Sequence, residues 1–183
     1  MKKRILVSQL IAVAVIILAK PASWKLFTAG FSVMALGQLI RLLASSAIVK
    51  SRTLTVSGPY AVVRNPLYLG TAFMVLGLLI SLSNRQAPLR TALVWLVTTV
   101  SFTLIYRVQI KAEEEFLLSS YGPEFERYRE RVNAVIPRPG ALSGFFECGA
   151  YSWEIFRKNK EWRGLLGMLA LAAVVAARIK YGF

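Results

Sequence analysis

Two polar stretches interrupt a chain that is otherwise rich in apolar residues, and they contain the side chains that could do chemistry. Residues 57–70 read SGPYAVVRNPLYLG and combine two tyrosines, an arginine and an asparagine with turn formers. Residues 107–139 contain an acidic triplet at 113–115. A charged side chain beside a bilayer is costly unless it has a partner of opposite charge or a hydrogen bond. The two stretches are therefore candidates for one polar site at the membrane boundary.

The acidic triplet also has a simpler interpretation as a solvated patch. Lys111 and Glu115 are spaced i, i+4 on a predicted helix, where an ion pair contributes only about 0.2–0.5 kcal/mol. Two neighbouring faces of that helix carry the remaining candidates: Arg107, Lys111 and Glu114 on one face, and Tyr106, Glu113 and Leu117 on the other. A second, shorter helix is predicted to begin at Gly122-Pro123.

The composition excludes several kinds of catalytic site. The chain contains no histidine and only one cysteine, Cys148. It therefore has no Ser-His-Asp triad, no zinc site built on histidine and no internal disulfide. We expect no bound metal ion.

The same composition predicts an integral membrane protein. Of the 183 residues, 56% are hydrophobic and only 17% are charged, whereas soluble domains carry about 25% charged residues. Five apolar runs are candidates for membrane spans: residues 5–19, 24–49, 66–82, 89–106 and 162–179. The expected fold is an all-α bundle of about five transmembrane helices that forms a single domain over residues 1–183.

The basic residues indicate how this bundle is oriented. The net charge is +14, and the Lys and Arg residues border the apolar runs. We therefore expect them to face anionic headgroups of membrane lipids and not nucleic acid. With five spans, the N-terminus and the stretches 57–70 and 107–139 lie on one side, which holds most of the Lys and Arg residues. The positive-inside rule makes that side cytoplasmic.

Small residues and one charge inside the apolar runs bear on helix packing. Gly30 and Gly37 in the second run, and Gly70 and Gly77 in the third, recur two turns apart and would let the two helices approach closely. These runs are predicted to pack together. Arg41 in the second run either snorkels to the interface or lines a substrate cavity.

Residues 145–162 mix aromatic and basic side chains just before the last apolar run. This mixture is typical of a helix lying in the membrane interface. An alternative is a gate through which a lipid reaches a buried site.

Taken together, the two polar stretches resemble a known family. GPYAVVRNPLYLG is similar to the G-P-Y-x-x-x-R-H-P-x-Y-x-G motif of the integral membrane methyltransferases, the family of isoprenylcysteine carboxyl methyltransferase and its phospholipid methyltransferase relatives. The second stretch is similar to the family's E-E-x-x-L-x-x-x-F-G-x-x-Y-x-x-Y pattern through Glu113-Glu114, Leu117, Tyr121-Gly122, Phe125 and Tyr128. The resemblance covers about residues 37–140, with both parts in the right order and spacing.

The resemblance implies an enzyme that binds S-adenosylmethionine in a cytoplasmic-side pocket, built from helical and loop segments, and takes a lipophilic substrate from the bilayer. The implied cofactor-binding residues are Tyr60, Arg64, Asn65, Pro66, Tyr68, Glu114, Tyr128, Ile136 and Pro137. The implied catalytic residues are Arg107, Glu113 and Glu114, with Arg107 holding a substrate carboxylate and a glutamate facing the positive sulfonium. Tyr68 is either part of this site or a residue of the interfacial aromatic belt.

Three positions depart from the family pattern. The motif histidine is Asn65, the first tyrosine of the pair is Phe125, and Asn133 replaces a proline. Asparagine can donate and accept hydrogen bonds but cannot titrate near neutral pH, so a histidine acting as a base would be lost here. This slightly favours an acceptor that is already ionised, of the carboxylate or sulfur type. Two rivals stay open: a membrane reductase of the sterol-reductase kind that uses NADPH, and a non-catalytic relative that binds lipid or cofactor.

Overall fold

The computed structural model describes residues 14–48 and 53–182, and its regular elements in these ranges are helices. They are α1 (Trp24–Ala47), α2 (Pro59–Val62), α3 (Pro66–Leu82), α4 (Pro88–Tyr121), α5 (Pro123–Arg131), α6 (Trp153–Asn159) and α7 (Trp162–Tyr181). Residues 14–18 are also helical, and two short 3-10 helices, Ala141–Phe146 and Cys148–Ala150, precede α6. The predicted all-α fold is confirmed.

Among the described residues, α1, α4 and α7 are long and apolar enough to cross a membrane. α3 is apolar as well but shorter, at 17 residues, and its bounds coincide with the predicted run 66–82. The first predicted run, residues 5–19, lies mostly outside the described residues. These helices identify the chain as a membrane protein, while the count of five spans stays a prediction.

Prolines set the beginnings of several helices. Pro59, Pro66, Pro88 and Pro123 each occupy the first turn of α2, α3, α4 or α5, where a missing N–H leaves no intrahelical bond unmade. Gly122 alone separates α4 from α5 and has a φ of 50°, a conformation that strains residues with a Cβ. The helix start predicted at Gly122-Pro123 is confirmed.

The glycines bring α1 and α3 into the most extensive helix–helix contact among the described elements. A Cβ added to Gly37 would lie 2.5 Å from the carbonyl oxygen of Gly70, and one added to Gly77 would lie 2.4 Å from that of Gly30. Side chains do not tolerate such distances, so larger residues would push the helices apart. The predicted packing of these two runs is confirmed, and it places the turn before α3 beside the end of α1.

α4 is a single helix of 34 residues that carries the acidic triplet. At 1.5 Å per residue it is about 51 Å long, well beyond the roughly 30 Å hydrocarbon layer. The helix predicted around the acidic triplet is confirmed, and it is continuous with the fourth apolar run. Its last turns extend past the apolar layer and lie near the turn before α3.

The interfacial helix predicted over residues 145–162 is shorter than expected. Between residues 145 and 161 only Trp153–Asn159 is α-helical, and the side chain of Ser152 caps its start by accepting from the N–H of Ile155. The preceding residues, which include Gly144 and Gly149, form the two short 3-10 helices. The chain therefore crosses the end of α1 as a sequence of short turns.

Candidate active site

A cavity of about 340 Å³ opens where the turn before α3 meets the last turns of α4. This volume is at the lower end of the range of small-molecule sites, about 300–1,000 Å³. Apolar parts of its wall come from Ile48, Pro66, Leu67, Phe116 and Leu117. Its polar groups come from Tyr60, Arg64, Asn65, Tyr68 and Glu113. The cavity thus combines a mostly apolar wall with a few polar groups that converge on it.

Arg64 joins the elements that surround the cavity. Its Nε and Nη2 donate to Oε1 of Glu114 at 3.0 and 2.6 Å, and its Nη1 donates to the carbonyl oxygens of Arg129 and Val132 at 3.1 and 2.5 Å. The Arg64 side chain is only 10% exposed. Four of the five guanidinium N–H donors are thereby engaged within the protein. Arg64 ties α4 to α5 and offers little free hydrogen-bonding capacity to a ligand.

The backbone beside Arg64 pairs with the turn that follows α5. The Arg64 N–H donates to the carbonyl oxygen of Asn133 at 2.8 Å, and the Asn65 N–H donates to that of Ala134 at 2.9 Å. The Asn65 side chain also donates to the Ala134 oxygen, through Nδ2 at 3.2 Å. Asn65 is buried, and this contact uses it as a plain hydrogen-bond donor to the main chain. The position of the motif histidine therefore has a structural role here that requires no titratable group.

The adjacent acids Glu113 and Glu114 have different surroundings, because one residue turns the helix by about 100°. Glu114 is engaged in the ion pair described above. Glu113 lines the cavity, and its Oε1 accepts from Oη of Tyr68 at 2.5 Å and from Nε2 of Gln109 at 3.2 Å. Within the described residues Glu113 has no lysine or arginine partner. It therefore presents a negative charge, fixed by two donors, at the cavity wall.

Two buried tyrosines complete the site. Oη of Tyr128 donates to the carbonyl oxygen of Tyr60 at 2.6 Å. Tyr60 lines the cavity, and its own hydroxyl is buried without a hydrogen-bond partner in the described part of the chain. Burial is the main cause that raises the pKa of both hydroxyls, so both stay protonated near neutral pH. An unsatisfied buried hydroxyl costs about 1–3 kcal/mol, and a polar ligand group could satisfy this one.

The structure places most of the predicted site residues together. Those that line the cavity are Tyr60, Arg64, Asn65, Pro66, Tyr68 and Glu113. Glu114 and Tyr128 lie behind the lining and hold it through Arg64 and Tyr60. Arg107, Ile136 and Pro137 lie outside the lining, and the Ile136 side chain is 77% exposed. The roles assigned to all these residues stay predictions.

Sequence reasoning missed Gln109, Phe116 and Ile48. Gln109 precedes Glu113 by four residues and Phe116 follows it by three, so helical spacing on α4 could have found both. Ile48 has no sequence signal, since it reaches the cavity only because α1 ends beside it. Within the described residues no group of three or more His, Cys, Asp or Glu side chains could hold a metal ion.

Arg41 lies in a second ion pair and does not line the cavity itself, although its Nη1 donates to the carbonyl oxygen of the lining residue Leu67 at 3.3 Å. Its Nε and Nη2 contact Oε1 of Glu161 at 2.7 and 2.5 Å, and its Nη1 donates to Oγ1 of Thr71 at 2.5 Å. The side chain of Arg41 is 24% exposed and that of Glu161 is 16% exposed. Of the two predicted roles, lining the candidate cavity is not observed. Arg41 instead connects α1 with α3 and with the residue before α7.

Comparison with known proteins finds a family and several relatives. Residues 23–124 match the family model described as phospholipid methyltransferase. The chain is 36% identical over 95 residues to a cobalt-zinc-cadmium resistance protein of Cupriavidus metallidurans, covering 52% of this chain and 40% of the relative. It is 31% identical over 105 residues to a protein-S-isoprenylcysteine O-methyltransferase of Schizosaccharomyces pombe, covering 55% and 40%.

A third relative, a nickel-cobalt-cadmium resistance protein of Alcaligenes xylosoxydans xylosoxydans, is 29% identical over 128 residues, covering 70% of this chain and 55% of the relative. The chain thus spans between 40% and 55% of the length of these three relatives. No solved structure matches the chain significantly. The family match includes the cavity residues of α2, α3 and α4, and it ends at the beginning of α5.

Proposed function

The chain belongs to the phospholipid methyltransferase family, and from that membership we propose that it is an S-adenosylmethionine-dependent methyltransferase acting on a lipophilic acceptor. The observation that carries the proposal is the cavity in which the Glu113 carboxylate and the Tyr60 hydroxyl, which has no hydrogen-bond partner among the described residues, face mostly apolar walls. We further propose that the active site lies on the cytoplasmic side of one membrane domain, as the distribution of Lys and Arg residues predicts.

The residues of the cavity fit the proposed methyl donor. S-adenosylmethionine, when bound, supplies a methyl group on a positively charged sulfur. Glu113 is suited to the positive charges of such a ligand, because no basic residue in the described part of the chain neutralises it. Tyr60 is suited to a polar group of the ligand, because its buried hydroxyl makes no hydrogen bond within residues 14–48 and 53–182. Arg64 is better suited to positioning than to direct contact, since Glu114 and two carbonyl oxygens occupy it.

Methyl transfer asks mainly for alignment and exclusion of water. Transfer from a sulfonium is an in-line displacement, and correct positioning of the reactants removes much of its barrier. Leu67, Phe116 and Leu117 provide an apolar wall that limits the access of water. Tyr60 and Tyr128 are held in their protonated form, so neither serves as a base near neutral pH. Glu113, the carboxylate of the cavity lining, is already assigned to the positive charges of the methyl donor, so we propose an acceptor that is already ionised, of the carboxylate or sulfur type.

Calorimetric titration of S-adenosylhomocysteine into the purified protein tests this function. We expect the wild type to bind, and we expect Glu113→Gln to bind roughly tenfold more weakly or worse, because the ammonium group that this demethylated product retains would lose a hydrogen bond to a charged group, which contributes about 1.5–3 kcal/mol. Glu115→Gln is the matched control. It removes the same charge from the same acidic triplet, at a side chain that is 67% exposed, and should bind like the wild type.

The same material separates the rival functions. Equal affinities of the Glu113→Gln and Glu115→Gln variants would place the ligand elsewhere. Oxidation of added NADPH without binding of S-adenosylhomocysteine would favour the reductase. Binding of S-adenosylhomocysteine, without methyl transfer to any lipid or prenylated thiol in a screen, would favour the non-catalytic relative.

A further inference from the structure

A second groove, separate from the candidate active site, lies between the last turns of α1 and the segment that contains α6. Its volume is about 290 Å³. Its wall includes Leu42, Leu43 and Ser46 of α1, and Tyr151, Trp153 and Phe156 of the later segment. The groove shares no lining residue with the cavity of the candidate active site. It is apolar, open on one side, and has no role in the methyl-transfer proposal.

The groove lies at the level where a membrane helix begins. α7, which is long and apolar enough to cross a membrane, starts at Trp162, and the residue before it, Glu161, is paired with Arg41 inside α1. Nδ2 of Asn159 donates to the carbonyl oxygens of Ser45 and Ile48 at 2.8 and 3.2 Å. These contacts fasten α6 beside the last turns of α1. The groove is therefore positioned at the boundary of the hydrocarbon layer.

One face of α6 carries both apolar and basic groups. Trp153, Phe156 and Arg157 are spaced i, i+3 and i+4, so they share a face, and the rings of Trp153 and Phe156 stack with their centroids 5.1 Å apart. Trp153 is 71% exposed, and the Arg157 side chain is also exposed. Lys158 is rotated by about 100° and lies off this face. Aromatic side chains with a neighbouring arginine are the pattern that meets lipid headgroups at an interface.

We propose that the groove binds one acyl chain of an anionic phospholipid, with the phosphate of that lipid held by Arg157. The apolar wall suits the chain, and the guanidinium suits a phosphate, to which it can donate two parallel hydrogen bonds. Lys160 and Arg163 follow Arg157 closely and add positive charge at the same boundary. The lipid site does not depend on the proposed methyl transfer, so each of the two proposals can fail without the other.

A bound lipid would also stabilise the segment that supports the candidate active site. The N–H of Ser152 donates to the carbonyl oxygen of Ser46 at 2.9 Å, beside the groove. Earlier in the same segment, Oε2 of Glu147 accepts from the N–H of Gly58 at 2.9 Å, immediately before α2. We therefore expect anionic lipid to raise the thermal midpoint of the wild-type protein.

Competition between two lipids tests the proposal. The purified protein in detergent is mixed with equal amounts of phosphatidylglycerol and phosphatidylcholine carrying the same acyl chains, and the retained lipid is counted by native mass spectrometry. We expect the wild type to retain phosphatidylglycerol preferentially and Arg157→Gln to reduce that preference roughly fivefold. Lys158→Gln, which removes the same charge from the next residue, should keep a preference close to that of the wild type.

A third variant tests the groove itself. Trp153→Ala removes part of the wall, so we expect it to retain less of both lipids without a change in their ratio. Equal retention of the two lipids by the wild type would overturn the proposal. So would equal losses in Arg157→Gln and Lys158→Gln, or unchanged retention in Trp153→Ala, with the variants monodisperse and of wild-type helix content.

Discussion

Arg41 and Arg64 make nearly the same contacts in two different regions of the molecule. Each gives Nε and Nη2 to a single carboxylate oxygen, which belongs to Glu161 for Arg41 and to Glu114 for Arg64. Each uses Nη1 for two further acceptors. For Arg41 these acceptors belong to α3, and for Arg64 they are main-chain carbonyls at the end of α5 and just beyond it.

The difference lies in what else holds each region together. Arg41 connects α1 and α3, which the closely packed glycines already join along their length. Arg64 connects α4 to α5, where the buried apolar side chains of α5 are limited to Phe125 and Tyr128. The same local chemistry therefore adds to an existing contact in one region and fixes the geometry of the cavity in the other. Substitution of Arg41 should therefore lower the free energy of unfolding alone, whereas substitution of Arg64 should also abolish ligand binding.

The largest expected effect belongs to Arg64→Ala. It leaves the Glu114 carboxylate, which is 21% exposed, without its partner, and breaking a buried pair in this way costs about 3–5 kcal/mol. Because the cavity wall depends on this junction, S-adenosylhomocysteine binding should fall below detection while the membrane helices persist. Chemical unfolding in detergent measures the free energy of unfolding, titration calorimetry measures the affinity for S-adenosylhomocysteine, and circular dichroism measures the helix content. An affinity like that of the wild type would discredit the positioning role of Arg64.

Arg41→Ala should lower the stability less than Arg64→Ala does and should leave ligand binding unchanged. We expect a loss of about 1.5–3 kcal/mol in the free energy of unfolding, the range for hydrogen bonds to charged groups, and an unchanged affinity for S-adenosylhomocysteine. The double variant Arg41→Ala/Glu161→Ala should recover part of the stability, since it leaves no unpaired carboxylate. Loss of ligand binding as complete as in Arg64→Ala would show that the two regions are not separable.

The sequence predicts the helices and their packing better than it predicts the individual side-chain contacts. Glycine spacing predicted the packing of α1 on α3, and apolar patterning predicted the bounds of α3, because these signals are local. The pairing of Arg41 with Glu161 spans 120 residues and has no local signal. Similarly, the motif marks both Glu113 and Glu114, but the rotation of α4 decides which of them meets Arg64. Residue type follows from the motif, whereas the division of labour requires the packed helices.

Two tyrosines that lie beside Arg64 sharpen the distinction between holding the site and contacting the ligand. Tyr128→Phe loses the hydrogen bond to the carbonyl oxygen of Tyr60 and should lower the free energy of unfolding by about 1 kcal/mol. Tyr60→Phe removes a hydroxyl that has no partner in the described residues, so stability should be unchanged or slightly higher while ligand affinity falls. Thermal denaturation of the two variants measures their stability, and titration calorimetry measures their affinity for S-adenosylhomocysteine. A Tyr60→Phe variant less stable than Tyr128→Phe would contradict the assignment of Tyr128 to holding the site and Tyr60 to contacting the ligand.

Alkaline pH should weaken the region around Arg64 through the same hydroxyls. Burial raises the pKa of Tyr60 and of Tyr128 above the ordinary value of 10.0. Below pH 10 both the folded and unfolded states keep these protons, so this contribution does not vary with pH. Above it the unfolded chain releases protons that the folded protein retains, and stability falls as pH rises. We expect Tyr60→Phe/Tyr128→Phe to show a shallower decline in thermal midpoint above pH 10 than the wild type; parallel curves would exclude these hydroxyls as its source.

The smallest effect is expected from Asn65→His, which restores the residue of the family motif beside Arg64. Asn65 donates one hydrogen bond to the Ala134 oxygen, and an imidazole can make the same bond in its neutral or its charged form. Because the side chain lines the cavity, the larger ring has space on that side. Calorimetry should therefore give an affinity for S-adenosylhomocysteine equal to or better than that of the wild type. Asn65→Leu, of similar size but without a donor, should weaken binding. If the histidine variant instead loses all binding, the junction needs the asparagine geometry itself, and the chain departs from the family pattern at the centre of its site.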